Sequence, residues 1–162
     1  MEYSAQNKTL IKKLIETSNL QLKDYDEVSS QIKNSLSDDN PWVRYWGLIV
    51  CSSFGTKAME NKDKINTIFE NDSENLVRMR AAEFMLLNDI ELSDSKINSL
   101  LKRSNFEAEA NLMLNTLANI KTINPKYKLN LNKNVFPENW IPPIREENAL
   151  VNRRMNYLTE NE

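Results

Sequence analysis

The side chains here best suited to chemistry are carboxylates and guanidiniums. Asp38 and Asp39 in "DDNPWVRYWG" (38–47), with Asp72 in "NDSENLVRMRAAE" (71–83), are of the type that serves as general acid and base or ligates calcium. Arg44 and Arg78 are of the type that grips sulfate, phosphate or carboxylate through paired N–H donors. Their spacing argues for another use. The step from Asp38 to Asp72 equals that from Val43 to Val77, so the acids recur at a repeat period and do not cluster. An acid in an interhelix turn can bond the amides of the following helix or receive an arginine from an adjacent repeat. Arg44 and Arg78 follow matching valines on one flank of their helices and suit such a ladder.

Other chemistries are closed by composition. The 162 residues include no histidine, which removes His-based nucleophile systems and imidazole metal sites. The one cysteine, Cys51, can form neither an internal disulfide nor a Cys-rich zinc site. Two glycines, Gly47 and Gly55, are too few for a usual phosphate-cradling loop. The expectation is a chain that is not an enzyme, with no catalytic, cofactor-binding or metal-binding residues. A net charge of −2 gives no electrostatic footprint for nucleic acid or a membrane surface. No apolar run approaches the ~18 residues of a membrane span.

The elements that must position these residues are helices. Scarce glycine with abundant Leu, Ile, Asn, Lys and Glu favours them over strands. Leu10, Ile11, Leu14, Ile15 and Leu22 lie at helical spacing in a lead helix over 7–22. "YDEVSSQIKNSL" follows, capped by Asp24 or Asp26, with Val28, Ile32 and Leu36 on one face. Asn40-Pro41 opens a helix over 41–54. On its wheel Val43, Gly47, Val50 and Phe54 form the core stripe, flanked by Cys51 and Trp46. The wheel from Val77 repeats it with Ala81, Phe84 and Asn88, flanked by Met85 and Arg80; small residues at 47 and 81 let a neighbouring helix approach. "KDKINTIFEN" between the copies turns Ile65, Ile68 and Phe69 inward.

A weaker third unit joins "SDSKINSLLKR" (Ile97, Leu100 and Leu101 inward) to "NFEAEANLMLNTLANI", where Phe106 aligns with Val43 and Val77. The step from Val77 to Phe106 is shorter than that from Val43 to Val77, and Glu107 replaces the arginine. Short helix, acidic turn, longer helix with Val-Arg-x-x-small is the HEAT-repeat pattern. The expected fold is all-α, a HEAT-like α-α superhelix of about three helix pairs over 1–120. Residues 121–162 are expected to form an irregular, Pro-containing tail packed on the same domain. Phe136, Trp140 and Ile141 would hold it, and a final helix would carry Leu150, Val151, Met155 and Leu158 on one side.

The aromatic residues of 42–46 have two readings, a platform for a sugar or peptide and ordinary packing. Trp46 borders the core stripe and is read as packing. Trp42 lies further out and Tyr45 points away, so both are candidates for contact with another domain.

"LIETSNLQLKDYDEVSSQIKNSLSDDNPWVRYWGLIVCSSFGTKA", "NLVRMRAAEFMLL" and the closing "NALVNRRMNYL" resemble the helical segment that follows the catalytic domain in bacterial sulfatases of the heparan N-sulfatase and arylsulfatase class. "PWVRYWG" is the most specific stretch. Two departures stand against it: the third repeat lacks its arginine, and the catalytic half of such an enzyme is absent. A sulfatase nucleophile lies two residues before Pro and four before Arg; after Cys51 those positions hold Ser53 and Gly55. None of the family's catalytic residues carries over.

The resemblance implies an accessory module that packs on a sulfatase catalytic domain of the same polypeptide, outside the cytoplasm. An apolar patch including Trp42, Leu76 and residues of the tail, with Tyr45 and Arg80 beside it, would form the covered surface. The alternative is a stand-alone HEAT-repeat scaffold for a protein partner, with a cytoplasmic location.

Overall fold

The computed structural model describes residues 5–124, 128–132, 134–136 and 149–159. Helices are the regular structure, with no strand among the described residues. Contacts divide the chain into two units, Met1–Asn88 and Asp89–Glu162. The change of composition at Lys121 falls inside a helix that runs to Ile123.

The first unit contains α1 (Ala5–Ser18), α2 (Tyr25–Leu36), α3 (Pro41–Phe54), α4 (Lys62–Asn71) and α5 (Asn75–Leu87). α3 packs against α1, α2 and α5, and α5 also packs against α4. The predicted stripes are the core: Val28, Ile32 and Leu36 of α2, Val43, Val50 and Cys51 of α3, and Ile65, Ile68 and Phe69 of α4 are buried. Phe54, at the end of the α3 stripe, is half-buried and meets the Tyr25 ring edge-on at 5.2 Å. On α5, Val77, Ala81, Phe84 and Met85 are buried as the second wheel requires, and Asn88 is half-buried just past the helix end. Burial pushes the Cys51 thiol up to about 12, so it packs as a small apolar residue.

At Gly47, α3 passes close against Ser35 of α2. A Cβ there would overlap the Ser35 hydroxyl and lie 3.1 Å from Ser35 Cβ. Gly55 has a different role, closing α3 at φ 56°, with its N–H bonded to the Cys51 and Ser52 carbonyls. It opens a 3-10 segment, Gly55–Asn61, which the periodicity of the sequence does not reveal.

The lead helix departs from expectation. It ends at Ser18, and a 3-10 turn over Asn19–Leu22 redirects the chain. With three residues per turn in place of 3.6, Leu20 turns inward and Leu22 is left 78% exposed. Ile11 and Ile15 are also exposed, so the helical spacing of α1 does not mark a buried stripe.

The second unit contains α6 (Asp94–Lys102), α7 (Glu107–Ile123) and α8 (Ala149–Thr159), and α8 packs on α7. Ile97, Leu100 and Leu101 are buried as predicted, as are Val151, Met155 and Leu158. Phe106 does not repeat the role of Val43. It stands in extended backbone before the first turn of α7 and is 57% exposed. Counted from the first residue of each helix, the positions of Val43 and Val77 correspond to Glu109, whose carboxylate accepts from the Asn105 backbone N–H at 2.6 Å. Phe136 is buried, while Trp140, Ile141 and the side chain of Leu150 lie outside the described residues.

Candidate functional site

The two acidic turns have the same local geometry. Asp38 Oδ1 accepts from the Asn40 N–H and Asp72 Oδ1 from the Glu74 N–H, both at 3.0 Å. These bonds fold the chain into a tight turn before each longer helix. Asn40 then caps α3, accepting from the Trp42 N–H at 2.9 Å, and Pro41 occupies the first helical position.

Arg44 ties the two acidic turns together. Its Nε and Nη2 donate to the two Asp72 oxygens at 2.7 and 2.9 Å, and its Nη1 to the Asp38 and Asp39 carbonyls at 2.7 and 3.0 Å. The Asp72 carboxylate is 4% exposed, so this is a paired, largely buried charge. The hydrogen bonds to Asp72, with its charge, raise the Arg44 pKa against the effect of burial. Asp38 receives an ion pair from Lys13 of α1. Burial acts to raise the Asp38 pKa, but the Lys13 and Asn40 bonds and the Arg44 charge hold it below its ordinary value. Arg78 turns back onto α4: its Nε donates to the Phe69 carbonyl at 2.6 Å, and its guanidinium lies 5.8 Å from the Phe69 ring centre. Each of the two arginines thus bonds carbonyls at or just beyond the end of the preceding helix, where the helix dipole is negative.

The four residues expected at a partner surface are not equivalent. Trp42 is 48% exposed. Its ring meets Tyr45 edge-on at 6.0 Å, and Tyr45 meets Trp46 in the same way at 6.2 Å. Tyr45 does not point freely away from the protein. Arg80 Nη2 donates to its hydroxyl at 2.8 Å, and the guanidinium sits 5.0 Å from its ring centre. Arg80 Nη1 also bonds both Glu83 oxygens, at 3.0 and 2.8 Å. Burial acts to lower the Arg80 pKa, and Glu83 and Tyr45 outweigh it, leaving it raised. Leu76 is half-buried one turn before Arg80. The structure therefore links Trp42, Tyr45 and Arg80 in one row across α3 and α5.

Glu83 completes that row and went unrecognised in the sequence, although its spacing of three from Arg80 was the available signal. A cleft of 620 Å³ lined by residues of α1 and α2 contains the Lys13–Asp38 pair. Its buried hydroxyls, Thr17 and Ser35, bond carbonyls of their own helices. Among the described residues no three His, Cys, Asp or Glu side chains gather as a metal site, and no helix is long and apolar enough to cross a membrane.

No protein-family model, curated protein or solved structure matches the chain.

Proposed function

We propose that this chain is a non-catalytic helical-repeat module of HEAT-like design, with α2–α3 and α4–α5 as its regular pairs. Its work is to hold a protein surface against the α3–α5 face. The partner is the catalytic domain of a sulfatase in the same polypeptide, a reading supported by the resemblance of "PWVRYWG" and its flanking helices. The repeat reading is supported by the Arg44–Asp72 bridge, which joins the acidic turn of one pair to that of the next.

The observation that carries the docking reading is the exposure of Trp42. Its neighbours Tyr45 and Arg80 are held by internal bonds, so a large rigid indole is presented at the end of a fixed row. An aromatic anchor of this kind loses little conformational freedom on binding and is a frequent source of interface energy.

Calorimetric titration of the full chain with the sulfatase-type catalytic domain encoded in its reading frame tests the proposal. Micromolar or tighter binding is expected, with at least a tenfold loss in Trp42→Ala. No binding, or binding indifferent to Trp42→Ala, would overturn it.

A further inference from the structure

A helix on a protein surface ordinarily turns its apolar residues to the core and keeps charge on the opposite face. α1 has apolar residues on both. Leu10 and Leu14 are half-buried and Thr17 is buried, which sets the inner face. Ile11 and Ile15, one turn apart, lie outside it at 46% and 55% exposure. With Lys8, Lys12 and Glu16 they line an open hollow of 430 Å³ on α1. Lys12 and Glu16 run along one flank of the isoleucine stripe, and the other flank holds Asn7 and Ser18 and no charge. Within the chain Lys12 and Glu16 stand 3.7 Å apart with 77% and 64% of their side chains exposed, a weak pair that is free to exchange partners.

We propose that the outer face of α1 is a self-association surface, on which a second copy of this chain lays its own α1 antiparallel about a two-fold axis. The charge pattern selects that occupant. In an antiparallel pair like flanks face each other, and the axis lies level with residues 13 and 14. Ile11 of each copy then meets Ile15 of the other, and Lys12 of each meets Glu16 of the other. A parallel pair would set the Lys12–Glu16 flank against the uncharged Asn7–Ser18 flank and forfeit both ion pairs. The stripe is basic toward its N-terminal end and acidic toward its C-terminal end, so its complement is the same stripe reversed, which the chain itself supplies. One helix face per copy is less than a standard interface, so the dimer is weak. The inference is independent of the sulfatase reading.

Sedimentation equilibrium of the full chain from about 10 µM to about 1 mM tests this, and half-association is expected at roughly 100 µM. Ile11→Gln with Ile15→Gln should leave the chain monomeric throughout with unchanged helix content, because both positions are exposed in the single chain. Lys12→Glu and Glu16→Lys should each weaken self-association about fivefold or more, since each sets two like-charge contacts across the axis. An equimolar mixture of these two single variants reads the geometry directly. One copy then carries two acids on the flank and the other two bases, so they should pair at least as tightly as the unaltered chain. Each variant still holds a like-charge pair within its own helix, so the recovery cannot come from a more stable α1. A chain that stays monomeric at about 1 mM, association that survives the isoleucine replacements, or a mixture no more associated than its components overturns the proposal.

Discussion

α3 and α5 both carry a Val-Arg pair as their third and fourth residues, yet five of fourteen residues are buried in α3 and ten of thirteen in α5. Hydrophobicity alone would predict the reverse. α3 carries two tryptophans, a tyrosine and one charged residue; α5 carries Arg78, Arg80 and Glu83. The difference lies in pairing. Arg78 bonds Phe69, Arg80 bonds Glu83 and Tyr45, and so charged side chains enter the interior of a helix stack with partners. α3, the more apolar helix, leaves Trp42 48% exposed, and under the proposed function this is the surface a partner would cover.

Breaking the pairing should have the largest effect. Arg44→Ala strands the Asp72 carboxylate and is expected to cost about 3 kcal/mol in denaturant unfolding, with Arg44→Lys restoring part of it. A double-mutant cycle with Asp72→Ala should show a coupling of about 1 kcal/mol or more, and additive losses would deny the bridge its role. Gly47→Ala should cost about 2 kcal/mol through overlap with Ser35, and trimming Ser35 to Gly in the same chain should recover some of that loss. Glu83→Ala leaves the Arg80 guanidinium with Tyr45 alone and should cost about 1.5 kcal/mol, lowering the unfolding temperature without loss of helix content.

Smaller effects sharpen the contrast. The Lys13–Asp38 pair is half-exposed at its lysine, so Lys13→Met should cost under about 1 kcal/mol at pH 7. The sign with pH follows from the depressed Asp38 pKa. The stabilisation is fully present above the unfolded value near 3.8 and is lost as pH falls through the lower folded value. The stability curves of the unaltered chain and Lys13→Met should therefore converge in acid, and a gap that stays constant as the pH falls would assign the effect to packing. Trp42→Ala should change stability least, within about 0.5 kcal/mol by thermal melting, while removing partner binding.

The periodic elements were legible in the sequence because apolar residues at 3.6 spacing leave few other solutions. α2, α3 and α4 begin and end at the residues that Asn40-Pro41 and the apolar stripes imply. The acidic turns and the reach of Arg44 were legible because Asp72 and Val77 restate the spacing of Asp38 and Val43. What was not legible depended on short-range geometry without a period. The 3-10 turn that exposes Leu22 and the extended backbone at Phe106 shift a wheel by a fraction of a turn. At the candidate surface, Trp42 could be placed from its wheel position. The holding of Tyr45 by Arg80 could not, because it joins two separate helices through a bond that neither helix's pattern contains.

The most direct test of the docking account follows the side-chain indole N–H signals of Trp42 and Trp46 in a ¹⁵N-labelled full chain as the sulfatase-type catalytic domain is added. The account predicts that the Trp42 signal shifts or broadens at substoichiometric addition while that of Trp46, half-buried at the core edge, moves less. Binding that leaves the Trp42 signal in place, or a titration with no change in either, would contradict it.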